Sequence, residues 1–190
     1  MENNHYNPDH HQTLWSLIKK NNILFPQKAN LNKFKATLHL ISEQETLDDL
    51  VGLMTLYLYA NDAQKELIED QGLVMLRRID CDKIATLDEQ LRSSISFTGW
   101  SSNVTARAAQ QSSLFQWCIL ACHPNGYTRE RAMIALAKYP EPISLALALR
   151  RCNDWVSPIR IAARDTAAHL ISNLSTAELL ETWNVFAQVS

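Results

Sequence analysis

The sequence predicts an all-α fold, and three observations carry that prediction. Apolar residues at steps of three and four recur along most of the 190 residues, whereas strand-like alternation is almost absent. Glycine is scarce, at four residues, and alanine and leucine dominate the second half, which favours helix. Short, strongly marked breaks separate the apolar segments of that half, and breaks this short force neighbouring helices into antiparallel pairs. With 46% hydrophobic residues the chain has the material for a buried core. Its length suits one domain, or one domain with an appendage.

Residues 1–12, with His5, His10 and His11, read as a polar tail without the charged-then-apolar layout of a signal peptide. A helical N-terminal region follows over 13–95. Its first stripe is Leu14, Trp15, Leu17 and Ile18, closed by Pro26. After Asn30, a cap, Leu31, Phe34, Leu38 and Ile41 share one face. Thr46-Leu47-Asp48-Asp49 has the form of a helix start, and Leu47, Leu50, Val51, Met54 and Leu58 make the next stripe. Asn61-Asp62 opens another helix, which Gly72 is placed to interrupt or end. Thr86-Leu87-Asp88-Glu89 has the spacing of a capping box. The serine- and threonine-rich stretch at 93–105, holding Phe97, Gly99 and Trp100, reads as the boundary to a second region over 105–190. The alternative is one continuous domain over 13–190.

The second region divides into helices at 105–122, 127–139, 142–152, 158–172 and 176–188. The breaks are Pro124-Asn125-Gly126, Pro140-Glu141-Pro142, Asn153-Asp154 and Asn173. Sliding the chain by about 31 residues places Arg129, Ala132, Leu136 and Tyr139 on Arg160, Ala163, Ala167 and Leu170. A period of this size points to a stacked helical array in which no single hairpin buries its own face. Leu145, Leu147 and Leu149 give the helix before the turn a wide apolar surface. Asp154 is placed to bond backbone amides at the turn, Ser157 to cap the next helix and Pro158 to stand at its first position.

The segment "NDWVSPIRIAARDTAAHL" resembles the turn and second helix of a HEAT-type repeat, and "YTRERAMIALAKY" is similar to the second helix of the unit before it. The resemblance is clearest over 105–190. It implies a HEAT-like α-solenoid of antiparallel helix pairs behind the helical N-terminal region, and a surface that binds other macromolecules, usually proteins. It also implies that Asp154, Arg129 and Arg160 bond across neighbouring units and serve structure. Arg131, Arg151 and Arg164, which such bonding need not consume, are expected together with Trp155 to contact a partner.

A net charge near zero makes no overall electrostatic case for nucleic acid or an acidic membrane, and the uneven distribution of charge reads as solvated faces of unequal composition before it reads as a docking dipole. Residues 41–90 hold twelve acidic and four basic side chains, residues 126–164 seven basic and three acidic, and the net charge is −2. The first expectation is a non-enzymatic scaffold or adaptor that binds protein. The alternative is nucleic-acid binding through the basic 126–164 region around Trp155, with a remote likeness to HEAT-like alkylation-repair glycosylases. Lys138 is the only lysine after residue 83.

No phosphate-loop, His-Glu-x-x-His, Gly-x-Ser-x-Gly or dinucleotide glycine motif occurs, so no catalytic residue and no cofactor is assigned. His39 and His169 fall in helical patterns as ordinary helix residues. Cys118, Cys122, His123 and Cys152 read as buried small apolar groups before they read as a metal site, since paired-cysteine knuckles are absent. Reduced thiols suggest a cytoplasmic protein, and no apolar run is long enough to span a membrane. In the last helix Leu179, Leu180, Trp183, Phe186 and Ala187 form an apolar stripe with no helix after it. Either that helix caps the fold itself, or the chain is a fragment, or a partner or second copy covers the stripe.

Overall fold

The computed structural model describes residues 38–39, 46–94 and 113–183. Among them it is all-helical, with eight α-helices, one 3-10 turn and no strand. The polar tail, the stripe at Leu14–Ile18, the Asn30 cap, most of the 93–105 boundary, and Phe186 with Ala187 lie outside the described residues. The chain divides into two units, Met1–Met75 and Leu76–Ser190.

In the first unit, α1 spans Leu47–Tyr59, and the Thr46 hydroxyl accepts the Asp49 N–H at 3.1 Å. The expected stripe is wider than one face, because Leu50, Val51, Leu53, Met54, Leu56 and Tyr57 are all buried. Asn61 and Gln64 cap α2 (Asp62–Arg78) reciprocally. The Asn61 side chain accepts the Gln64 N–H at 2.9 Å, and the Gln64 side chain accepts the Asn61 N–H at 3.2 Å. Gly72 does not end this helix. An interior glycine costs about 1 kcal/mol, too little to break a long helix that also places Arg77 and Arg78 at its C-terminal pole.

In the second unit, the 3-10 turn Cys81–Lys83 runs directly into α3 (Ile84–Ser94). Thr86 therefore lies inside the helix and the expected capping box does not form. Asp88 turns into the core instead. The helix expected over 105–122 begins as α4 at Leu114–Ala121, because Ser113 is extended and its side chain accepts the Gln116 N–H at 3.3 Å. Then come α5 (Gly126–Leu136), α6 (Pro142–Arg151), α7 (Ser157–Asn173) and the short α8 (Thr176–Glu181).

Packing follows a regular plan. Each link joins partners, α4 with α5 and α6 with α7, and the two pairs touch along α4 with α6 and along α5 with α7. α6 is central, since Ile143 through Leu149 are buried without a gap, and α3 and α8 rest on it. α5 buries Ala132, Met133 and Leu136 and α7 buries Ile159, Ala163 and Ala167, small and aliphatic side chains that suit close helix packing. The Thr166 hydroxyl crosses between the two helices to donate to the Met133 carbonyl at 2.9 Å. α3, assigned by sequence to the N-terminal region, packs on α6 because the Asp88 carboxylate pairs with Arg151.

Ser157 is not the cap of α7. The helix begins at Ser157 itself, with Val156 at the cap position and Pro158 in the first turn. No side chain caps α7, and the buried Asp154 instead braces the turn before it by accepting the Val156 N–H at 3.1 Å.

Candidate functional site

Two arginines at the same register position build the turns. The Arg129 Nη1 donates to the carbonyls of His123 at 2.8 Å and Pro124 at 2.7 Å, six and five residues before it. The Arg160 Nη1 donates to the carbonyls of Asp154 at 2.8 Å and Trp155 at 3.0 Å, again six and five residues before it. Each guanidinium thus fastens the turn that leads into its own helix. Arg129 does more: its Nε donates to Asp154 Oδ2 at 2.9 Å and its Nη2 to Oδ1 at 3.1 Å. This two-point pair between fully buried partners ties the first turn to the second. Asp154, Arg129 and Arg160 therefore hold structural bonds.

Arg151 is corrected. It is buried, its Nε donates to the Ala121 carbonyl at 2.8 Å, and its Nη2 pairs with Asp88. Asp88 also receives the Arg92 Nε at 3.0 Å. A buried guanidinium with these partners offers nothing to a ligand. Burial pushes the Asp88 carboxyl up, but the charge and hydrogen bonds of Arg151, with those of Arg92, prevail and hold it below its ordinary value. Asp154 is likewise held down against its burial, by the Arg129 bond, the Val156 amide and the two arginine charges.

The buried thiols are inert by the same physics. Burial pushes Cys122 up to about 12 and Cys81 to about 11, and it raises Cys118 well above the ordinary thiol range. His123 is held at about 4 by burial and by the Arg129 charge, and its Nδ1 accepts the Asn125 N–H at 2.9 Å. No group of three or more His, Cys, Asp or Glu side chains among the described residues is placed to hold a metal ion.

Surface chemistry lies elsewhere. Trp155 is 83% exposed, and Arg131 and Arg164 are exposed. A groove of about 510 Å³ runs between α5 and α7, lined by Glu130, Ile134 and Ala137 on one side and Pro158, Ile161, Ala162, Asp165 and Thr166 on the other. Ile134 and Ile161 are each 58% exposed. Sequence reading passed over this groove. Its signal was present: at the 31-residue offset Glu130 falls on Ile161 and Ile134 on Asp165, so each helix supplies one isoleucine and one acid.

Set beside models of protein families, curated proteins and solved structures, the chain has no significant match. No helix of the described residues is long and apolar enough to cross a membrane.

Proposed function

We propose that the chain is a HEAT-like helical-repeat module that binds a partner protein as a non-enzymatic scaffold or adaptor. The observation that carries this reading is the α5–α7 groove, where two isoleucines stand in solvent on helices whose opposite faces are closely packed. Such side chains gain by being covered, and their acidic neighbours Glu130 and Asp165 suit a segment that pairs apolar with basic side chains. The i−6 and i−5 carbonyl bonds repeated by Arg129 and Arg160, and the pairwise stacking of the two hairpins, are what an array of repeats would contain.

Nucleic acid is the weaker reading on the same evidence of charge. Of the seven basic residues at 126–164, Arg129 and Arg151 are buried against Asp154 and Asp88, and Arg150 leans toward Asp88 and Glu89 at 3.8 Å. The groove itself carries carboxylates, which repel phosphates.

A tagged full-length chain, captured from cells with and without nuclease, tests the proposal against an Ile134→Asp/Ile161→Asp variant. The expected result is a stoichiometric protein that survives nuclease and is lost with the variant. Recovery of nucleic acid alone, with all protein contacts vanishing after nuclease, refutes it.

A further inference from the structure

Arg129 and Arg160 make the same two backbone bonds, but only one of them is complete. In Arg129 the Nε–Nη2 edge of the guanidinium holds both oxygens of Asp154. In Arg160 only Nη1 is engaged, and among the described residues no carboxylate meets its Nε–Nη2 edge. That edge is the part of a guanidinium whose spacing matches a carboxylate. Asp154 lies 25 residues after Arg129, and the residue 25 after Arg160 is Val185, which has no carboxylate to offer.

The apolar contacts beside the pair follow the same register. A Cβ added to Gly126 would stand 3.5 Å from Ile159 Cδ1 and 3.8 Å from Val156 Cγ2, so the turn that supplies Asp154 also lays two aliphatic side chains over Gly126. The equivalent of Gly126 is Ser157, which is exposed between Trp155 and Arg160. Arg164, exposed one helical turn beyond Arg160, adds positive charge.

We propose that Arg160 is a docking point for an acidic turn of a partner protein, and that this turn carries an aspartate or glutamate with aliphatic residues two and five positions after it. The arrangement copies Asp154, Val156 and Ile159 of the chain itself. The carboxylate completes Arg160 as Asp154 completes Arg129, and the aliphatic pair covers Ser157. The proposal rests on the protein-binding reading but not on the α5–α7 groove.

The test places a photo-reactive residue in the full-length chain in cells, as Trp155→p-benzoylphenylalanine, and sequences what it captures. The expected capture is a peptide of another protein with that acidic-aliphatic spacing. The captured protein then binds Arg160→Glu roughly 10- to 100-fold more weakly than wild type, and changing its own acid to arginine restores the affinity. Restoration also establishes that Arg160→Glu is folded. Capture of nucleic acid, of a second copy of this chain, of a peptide with no acid, or of nothing overturns the proposal. So does unchanged affinity of Arg160→Glu. If Ile134→Asp/Ile161→Asp abolishes binding while Arg160→Glu does not, this inference falls and the protein-binding reading stands.

Discussion

Arg129 is a charge with no solvent, and its cost is met by four oxygen contacts from three residues: two from Asp154 and one each from the His123 and Pro124 carbonyls. Arg129→Met removes the charge that Asp154 faces and leaves buried acceptors unpaired. It is expected to lower stability by about 3–5 kcal/mol, read as the shift of the urea midpoint. Arg77→Met breaks a two-point pair with Glu141, at 2.8 and 2.7 Å, but at the surface, and is expected to cost less than about 1 kcal/mol. The register made Arg129 and Arg160 legible in the sequence, because they fall on each other at a fixed offset, whereas Asp154 has no equivalent at that offset and was legible only from the turn it occupies and the repeat it resembles. Arg151 was not legible. Its partner Asp88 is 63 residues away, and no local pattern announces a pairing that only the packing of α3 on α6 creates.

The periodicity predicts helix throughout the described residues, but not its bounds: Gly72 lies inside α2, the helix expected over 176–188 reaches its C-cap at Thr182, and α3 and α7 begin elsewhere than expected. Thr86 and Glu89 have the spacing of a capping box, yet the helix starts at Ile84 before them, and Asp88 between them is consumed by Arg151 and Arg92. Asn125 has no such competition, and its side chain accepts the N–H groups of Tyr127 at 2.9 Å and Thr128 at 3.4 Å. Asn125→Ala is expected to destabilise by about 1 kcal/mol. The neighbouring Gly126→Ala is expected to stabilise by about 0.5–1 kcal/mol. The added methyl meets Ile159 and Val156 at ordinary contact distance, and the unfolded chain loses freedom. Thermal melting of the two variants should therefore move in opposite directions.

Over the whole molecule these groups set how stability depends on pH. His123 titrates at about 4 in the folded chain against an ordinary 6.5, so the unfolded chain binds more protons between those values. Stability is then full above pH 6.5 and declines as pH falls toward 4. Asp88 and Asp154 are held below the ordinary carboxyl value of 3.8, so their contribution is present above that value and is lost as pH falls through their folded values. Denaturant midpoints measured from pH 8 to pH 3 should show both declines. His123→Asn, which can still accept the Asn125 N–H, should remove the upper one and leave the lower. A profile flat from pH 6.5 to pH 4 in the wild type would contradict this account of His123.

The eight-residue α4 is too short to persist alone, and its C-terminal end is gripped from two directions. Arg151 of α6 holds the Ala121 carbonyl, and Arg129 of α5 holds those of His123 and Pro124. The order in which these grips close sets the kinetics of folding. Bringing Asp88 to Arg151 closes a loop of 63 residues and bringing Arg129 to Asp154 one of 25, a difference of about 0.8 kcal/mol in closure entropy. The contacts between α5 and the α6–α7 turn should therefore form on the uphill side of the barrier, and the Asp88–Arg151 pair after it. In stopped-flow fluorescence reporting on the buried Trp117, Arg129→Met should slow refolding, while Arg151→Met should leave refolding unchanged and speed unfolding. The reverse pattern would make α3 and α4, rather than α5 and the α6–α7 turn, the place where folding begins.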